Sequence, residues 1–334
     1  MLFVGTRGGI EARVVPGRGY WIRYIAIAGF LGKSRVKQAL FPLQFLVSLV
    51  QSIFHIVAFR PDAVLGTGGY VSAPPVLAAW LLRIPVGLLA LDAMPSKAVR
   101  LLAGCASEIY SGFLECADFL KPKHKVFFTG NPLRGEIGAA SRPDGAKAFK
   151  LDPVRKTVLL FGGSQGARSL NQALLDVLTA KQSDQRWQNV QFIIQTGKRD
   201  HDDIKKKLSS LPYNMTMLPY IDDMPLAYAA ADLVVSRSGA GVSEVLACGL
   251  PAILVPYPHA ASNHQEYNAR SLEQAGAAVM ILDANLSGQI LAETIEKTLF
   301  DPARLERMGK AAKVLARPGA AADITQRLIN LAKK

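Results

Sequence analysis

Cysteine is scarce in this sequence: the three residues, Cys105, Cys116 and Cys248, are scattered and show no metal-binding spacing. Their scarcity excludes a disulfide-stabilised scaffold or a zinc ribbon and is typical of a chain that works in a reducing cytoplasm. The opening residues also lack the charged, apolar and small-residue order of a signal peptide. A cytoplasmic chain with buried, structural thiols is therefore expected.

Acidic residues are also in short supply, with 26 Asp and Glu against 39 Lys and Arg, which gives a formal net charge of +13. Residues 1–150 hold 18 Lys or Arg against 8 Asp or Glu, so this half carries +10 and the remainder +3. The first half is expected to meet nucleic acid, anionic lipid headgroups or a diphosphate substrate. Because no basic run with interleaved aromatic residues is present, nucleic acid is disfavoured.

Uninterrupted hydrophobic runs are missing as well. Residues 39–59 are about long enough to cross a bilayer, but Pro42, Gln44, Gln51 and His55 interrupt them. Helical spacing puts on one face the residues Leu43, Leu46, Leu49, Val50, Ile53, Phe54 and Val57. With Arg35, Lys37 and Arg60 flanking it, such a helix suits an anionic membrane surface. The alternative is a helix packed inside an α/β domain, and both can hold for opposite faces.

Strand-like apolar runs alternate with helical segments along the chain, which predicts an α/β protein with parallel sheets. The runs lie at residues 2–4, 63–65, 85–89, 125–128, 157–161, 191–194, 233–235 and 252–255. Turn residues concentrate between residues 131 and 153, where we place an interdomain linker. Two Rossmann-like halves are expected.

Three glycine-bearing segments follow predicted strands: GTGGY at 66–70, GGSQG at 162–166 and SGAG at 238–241. The carboxyl edge of a parallel sheet is where ligands bind, and glycine there lets backbone N–H groups approach phosphate. Ala167-Arg168-Ser169 stands where a P-loop needs Gly-Lys-Ser/Thr, and residues 193–197 supply no carboxylate for a nicotinamide dinucleotide. Kinase and dehydrogenase functions are therefore disfavoured.

Several polar residues follow the later strands. Ser164 and Gln165 can hold a diphosphate at a helix N-terminus, or Ser164 can simply cap that helix. Glu244 can accept from both ribose hydroxyls, or it can close a capping box. A short stretch rich in amides and imidazoles can form a sugar-binding pocket, or it can be a polar loop; its residues are His259, Asn263, His264, Gln265 and Asn268. Few acids accompany the histidines and no Asp-x-Asp motif sits at a strand end, so no metal ligand set is predicted.

Six motifs in order make the chain resemble the MurG family, the N-acetylglucosamine transferases of peptidoglycan synthesis. They are GTGGYVSAP (66–74), GNPLR (130–134), GGSQGA (162–167), YIDDM (220–224), SRSGAGVSE (236–244) and NHQEYNA (263–269). The resemblance implies a GT-B fold, with two Rossmann-like domains whose parallel sheets face across a cleft. Residues 1–138 would form the acceptor and membrane-associating domain, 150–318 the UDP-sugar domain, and 319–334 a helix packing back on the first domain.

The resemblance also implies an inverting transfer of N-acetylglucosamine from its UDP donor to the 4-hydroxyl of undecaprenyl-diphosphate-N-acetylmuramyl-pentapeptide, at the cytoplasmic face of the inner membrane. In the donor site it puts Arg134 and the Ile221 backbone near uracil, Ser164 at the diphosphate, Glu244 on ribose and Gln265 on the sugar. The full donor set is Asp92, Arg134, Ser164, Gln165, Ile221, Ser238, Gly239, Ala240, Glu244 and Gln265. Gly68, Gly69 and Tyr70 would hold the acceptor diphosphate. No cofactor is implied, although a divalent cation can assist the leaving group.

The chain departs from the family pattern in three places. Met1 aligns with the family's second strand, so the first glycine loop and its candidate catalytic histidine are absent, and a start site assigned too late is expected. A missing central strand would leave its neighbours unpaired. Asp92 replaces a donor-contacting asparagine and becomes the remaining candidate base, while SRSGAGVSE is one residue short. The alternatives are a catalytically impaired UDP-sugar-binding protein, another GT-B transferase with a lipid acceptor, or a UDP-sugar epimerase.

Overall fold

The computed structural model of the chain describes residues 1–27, 40–163 and 166–333. Contacts divide the protein into two compact units: Met1–Thr129 with Ala320–Lys334, and Gly130–Gly319. Every strand pair in the described residues is parallel, and helices separate the strands along the chain. The prediction of two Rossmann-like α/β halves is confirmed.

The first unit alternates short strands and helices. Its elements are β1 (Leu2–Gly5), α1 (Glu11–Gly17), β2 (Trp21–Tyr24), α2 (Phe41–Phe59), β3 (Val64–Gly66), α3 (Ala73–Leu81), β4 (Val86–Ala90), α4 (Lys97–Leu102), β5 (Glu108–Ser111) and β6 (Val126–Phe128). The strands form two sheets, β1-β2 and β3-β4-β5-β6. Among the described residues, β1 pairs only with β2, and β3 only with β4. All five residues of β4 are buried, as expected for an inner strand covered on both faces.

Helix α2 buries its polar face and exposes much of its apolar one. Ser48 and Ser52 are fully buried, and each hydroxyl donates to the carbonyl one turn earlier, at 2.8 Å and 2.7 Å. Because these bonds satisfy the hydroxyls within the helix, α2 can pack closely on α3. Leu49, Ile53 and Ile56 join the core of the unit. The apolar stripe left outside consists of Leu43, Leu46, Val50, Phe54 and Val57.

The second unit contains a longer run of the same alternation. Its elements are α5 (Arg142–Ala148), β7 (Lys156–Phe161), α6 (Arg168–Ala180), α7 (Gln185–Gln188), β8 (Val190–Gln195), α8 (His201–Leu208), β9 (Asn214–Leu218), α9 (Met224–Ala230), β10 (Leu233–Ser236), α10 (Val242–Ala247), β11 (Ala252–Leu254), α11 (His264–Gln274), β12 (Ala278–Met280), α12 (Gly288–Leu299) and α13 (Pro302–Leu315). The six strands form one sheet in the order β12-β11-β10-β7-β8-β9.

The direction of strand progression in this sheet reverses at β7, which lies between β8 and β10. Such a reversal is a topological switch point, and the loops leaving the two strands diverge to opposite faces there. A core of residues from both strands and the flanking helices α6 and α12 lies behind the switch point. The fold therefore provides a crevice at the carboxyl ends of β7 and β10.

The C-terminal helix, α14 (Ala320–Ala332), belongs to the first unit. Ile324 packs with Leu89 and Tyr110, and the Arg327 guanidinium lies 4.1 Å from the centre of the Phe127 ring. Arg327 also lies 3.6 Å from the Glu108 carboxylate. These contacts fasten the end of the chain to β4, β5 and β6.

Candidate functional site

The glycine-rich loop after β7 lies tightly against its surroundings. Gly166 has a φ of +77°, and a Cβ on it would overlap the carbonyl oxygen of Thr196. A side chain is therefore excluded by conformation and by space, which brings this loop against the end of β8. Ser164 and Gln165, the predicted diphosphate ligands, lie outside the described residues.

A buried glutamine at the end of β8 ties two of the loops together. Gln195 donates through Nε2 to the Gly163 carbonyl at 2.8 Å, and its Oε1 accepts from the Ile221 backbone N–H at 2.9 Å. Ile221 is buried, with 1% of its surface exposed. Its N–H is thus already bonded, so its carbonyl oxygen is the backbone group left for the expected uracil contact.

Glu244 lies in the first turn of α10 and is held from two sides. Arg134 donates to Glu244 Oε1 through Nε at 3.2 Å and Nη2 at 3.1 Å, and the Tyr228 hydroxyl donates to Oε2 at 3.1 Å. No side-chain bond caps α10, so the capping-box interpretation of Glu244 is wrong. Burial, and then the charge of Glu244, raises the pKa of Tyr228 well above its usual range. The phenol therefore stays protonated and acts as a donor to the Glu244 carboxylate.

The loop after β10 packs against Gln265 at the start of α11. The Ser238 hydroxyl donates to the Gln265 carbonyl at 2.7 Å, and Gln265 Oε1 accepts from the Tyr257 backbone N–H at 2.9 Å. A Cβ on Gly239 would lie 3.5 Å from Gln265 Nε2. Within the described part of the chain, Nε2 and the N–H groups of Gly239 and Ala240 make no hydrogen bond. Gly239 and the Gln265 amide are therefore close together, and these three donors have no acceptor among the described residues.

The other polar residues near Gln265 are committed to the local fold. Asn268 is buried and donates to the Ser238 carbonyl at 3.0 Å. Asn263 bonds Glu266 at 2.6 Å, and His264 Nδ1 lies 2.8 Å from the Ala261 carbonyl. His259 is exposed beside the Tyr257 ring. Among the amides of this stretch, Gln265 thus has the amide group that is available to a sugar.

Arg237, inside the SRSGAGVSE motif, is a residue that the sequence analysis did not single out. Its side chain is only 11% exposed and its Nη1 lies 2.6 Å from Asp283. The same nitrogen donates to the carbonyls of Val255 and Pro256, and Nη2 donates to the Ser169 hydroxyl at 2.9 Å. One guanidinium therefore fixes the ends of β10 and β11 against the first turn of α6. An arginine directly after a buried strand was the signal for it in the sequence.

In the first unit, the predicted acceptor loop lies at the carboxyl ends of β3 and β4. Gly68 has a φ of +83°, and a Cβ on it would lie 2.7 Å from the Leu89 carbonyl oxygen. Ser96 donates to the Gly68 carbonyl at 2.9 Å and caps α4. The N–H groups of Gly68 and Gly69 have no acceptor in the described ranges. Tyr70 is 45% exposed in this loop.

Asp92 follows β4 by two residues and is partly buried. Because the Gly68 loop touches the end of β4, this carboxylate lies on the same sheet edge as the acceptor loop. Burial, and then the charge of Asp92, raises the pKa of Cys116 to about 12. Asp92 and Gly68–Tyr70 therefore belong to the first unit, and the remaining described donor candidates belong to the second.

The polar groups of the second unit suit the binding of an anionic nucleotide. Unpaired backbone N–H groups at a strand-to-helix junction suit a diphosphate, and an ionised carboxylate suits vicinal hydroxyls. In the described ranges, no three His, Cys, Asp or Glu side chains are grouped as metal ligands.

Two family models match the chain. Residues 157–325 match the glycosyltransferase family 28 C-terminal domain, and residues 2–111 match the glycosyltransferase family 28 N-terminal domain.

Curated relatives match along nearly the whole sequence. The UDP-N-acetylglucosamine–N-acetylmuramyl-(pentapeptide) pyrophosphoryl-undecaprenol N-acetylglucosamine transferase of Thermodesulfovibrio yellowstonii is 39% identical, with 98% of this chain and 88% of the relative covered. The protein of the same name from Geobacter sulfurreducens is 40% identical, with 100% and 91% covered.

Solved structures share the fold. The crystal structure of Acinetobacter baumannii MurG superposes with a TM-score of 0.76 at 27% identity and covers 98% of this chain and 90% of its own. A UDP-GlcNAc 2-epimerase from Neisseria meningitidis gives a TM-score of 0.63 at 17% identity, covering 98% and 99%, and shares the fold alone.

Proposed function

The chain belongs to the MurG family within glycosyltransferase family 28, and we propose the activity that its site supports best. It is an inverting hexosyltransferase that moves N-acetylglucosamine from its UDP donor to the 4-hydroxyl of undecaprenyl-diphosphate-N-acetylmuramyl-pentapeptide. The observation that carries this proposal is the contact of Gln265 with the Ser238–Ala240 loop beside the β7–β10 switch point, with Glu244 in the first turn of the helix that follows this loop.

The second unit holds the donor in this proposal. Glu244 accepts from the ribose hydroxyls, and Arg134 helps to orient the carboxylate. The N–H groups of Gly239 and Ala240 face the diphosphate, and the Nε2 group of Gln265 donates to a sugar hydroxyl. Ser164 and Gln165 complete the diphosphate site, and the Ile221 carbonyl contacts uracil. Backbone donors of this kind stabilise the charge that develops on the departing UDP.

The first unit takes the acceptor. The N–H groups of Gly68 and Gly69 bind its diphosphate, with Tyr70 at the exposed side of the loop. We propose Asp92 as the base that removes the proton from the 4-hydroxyl, because it lies on the same sheet edge as this loop. As the 4-hydroxyl attacks the anomeric carbon, the new glycosidic bond forms, the bond to UDP breaks, and UDP leaves with the electron pair.

A peripheral position on the cytoplasmic face of the inner membrane is the second part of the proposal. The five-residue apolar stripe of α2 is exposed, although the helix packs on the unit through its other side. On length and composition alone, α2 would also pass as a membrane-crossing helix. Arg60 caps the C-terminus of α2, and Arg83 follows the C-cap of α3, so both helices end in a cation of the kind that binds anionic headgroups. The stripe supports a helix lying in the interface.

Transfer is tested by incubating the protein with UDP-N-acetylglucosamine and lipid-linked muramyl-pentapeptide while UDP release is followed. We expect UDP release that depends on the acceptor, with one glycosylated lipid formed for each UDP. Asp92→Asn should lower kcat at least about tenfold and leave the KM for the donor within about twofold, because a general base contributes to the chemical step. UDP release that is independent of the acceptor would contradict the proposed transfer.

A further inference from the structure

Tyr228 is a fully buried residue that no step of the proposed transfer uses. It lies on α9 with 1% of its surface exposed, and its ring packs edge-on against Phe161 at the end of β7. Its hydroxyl lies 3.1 Å from Glu244 Oε2. Breaking this hydrogen bond would leave a buried hydroxyl without a partner, which costs free energy. The Tyr228 hydroxyl therefore keeps a fixed position beside the candidate ligand-binding carboxylate.

The two donors to Glu244 differ in solvent exposure. The Arg134 side chain is 48% exposed and reaches the carboxylate from the solvent side, whereas Tyr228 reaches it from the core. An ionised carboxylate offers about four acceptor positions. Tyr228 takes one of these positions on Oε2, and Arg134 takes two on Oε1, so only one is left beside the protein donors. A pair of vicinal hydroxyls therefore fits only when the half-exposed Arg134 gives up one of its bonds, while Tyr228 continues to hold the carboxylate from the core.

We infer that Tyr228 is a positioning residue for nucleotide recognition: its hydroxyl holds Glu244 in the rotamer that accepts from the ribose hydroxyls. This inference rests on the proposed role of Glu244 in the donor site. It extends that role to a residue that does not touch the nucleotide.

The test is binding of UDP, 2′-deoxy-UDP and 3′-deoxy-UDP, measured by titration calorimetry. Wild-type protein should bind each deoxynucleotide about tenfold more weakly than UDP, as expected for one lost hydrogen bond to a charged group. In Tyr228→Phe, UDP binding should weaken about tenfold, and the deoxy penalty should shrink to about threefold or less. A Tyr228→Phe protein that keeps the full deoxy penalty would overturn the inference.

Tyr213 provides the matched control for a lost phenol hydroxyl. It is buried in the same unit, and its hydroxyl donates to the Leu178 carbonyl at 3.1 Å, away from Glu244. Tyr213→Phe should lose comparable thermal stability but retain UDP affinity and the deoxy penalty. Equal loss of discrimination in both variants would show a structural effect and would also overturn the inference.

Arg134→Gln is a second variant that does not depend on Tyr228→Phe folding. Because Tyr228 still holds the carboxylate in Arg134→Gln, a deoxy penalty of about threefold or more should persist; its disappearance would contradict the inference. Binding is read without the acceptor, so the two hypotheses fail separately. If the protein discriminates between UDP and the deoxynucleotides but does not catalyse transfer, the proposed reaction alone is refuted. If wild-type protein binds the deoxynucleotides as tightly as UDP, the proposed role of Glu244 is refuted, and the role of Tyr228 is refuted with it.

Discussion

Phe54 offers the sharpest test of the membrane-facing stripe on α2. Its side chain is 70% exposed on a helix whose opposite side is packed against α3. Replacing it with glutamine removes apolar surface and keeps a residue with good helix propensity, so the fold should be unaffected. We expect Phe54→Gln to weaken binding to anionic vesicles.

The size of the effect follows from the exposed area. A phenylalanine presents about 200 Å² when fully exposed, so about 140 Å² is available here, worth about 3.5 kcal/mol at roughly 25 cal/mol per Å². A helix lying in the interface buries about half of this surface, which leaves about 2 kcal/mol. At about 1.4 kcal/mol for each factor of ten, vesicle partitioning should fall about 30-fold.

The assay is co-sedimentation with vesicles of anionic and of zwitterionic phospholipids, at low and high salt. Val314→Gln is the matched control, since Val314 is 74% exposed on α13 in the other unit. Wild type and Val314→Gln should bind anionic vesicles alike, and salt should weaken both because headgroup attraction is screened. Partitioning of Phe54→Gln equal to that of wild type would refute the assignment of this stripe to the membrane.

Two further predictions concern the second unit. Gly166→Ala should lower the free energy of unfolding by about 2 kcal/mol or more in denaturant titrations, because a Cβ there meets the Thr196 carbonyl at a positive φ; an unchanged midpoint would contradict this. The Glu296 carboxylate accepts from Lys181 and from the buried Trp187 indole, and the Lys181 bond is the main reason that its pKa lies below the usual value. A lowered folded-state pKa stabilises the fold above the unfolded value of about 4.3, and this contribution is lost as pH falls through the folded value. The Tm advantage of wild type over Glu296→Gln should therefore be present at pH 7 and disappear in acid; a difference constant down to pH 3 would rule this out.

The inner strands that the sequence predicted have apolar runs without interruption. β4 and β7 are examples, because inner parallel strands are buried on both faces and need apolar residues throughout. β5 and β9 were not predicted. Glu108 in β5 is polar because it meets Arg327 of α14, and Asn214 opens the edge strand β9. Contacts between residues so far apart in the chain leave no local periodicity to detect.

The same limit applies to the site. Sequence spacing put Glu244 in the first turn of a helix, where the local pattern alone favours a capping box over ribose binding. The choice between them depends on Arg134 and Tyr228, which lie 110 and 16 residues away. For α2, helical spacing identified the apolar face but not the face that is buried. Ser48 and Ser52 can be buried because their hydroxyls bond within the helix, and apolar residues of the other face are then exposed.

The network around Arg237 explains how unpaired donors can be kept in place. Backbone N–H groups without an acceptor repel one another electrostatically, and a loop that carries them tends to turn them toward other partners. Arg237 opposes this by donating to two backbone carbonyls, to the Ser169 hydroxyl and to the Asp283 carboxylate. The Asn268 amide donates to the Ser238 carbonyl and holds it in place. These neighbouring acceptors are therefore already occupied. In the proposed function, the N–H groups of Gly239 and Ala240 and the Nε2 of Gln265 are the donors that remain for the UDP-sugar, so binding would require little reorganisation.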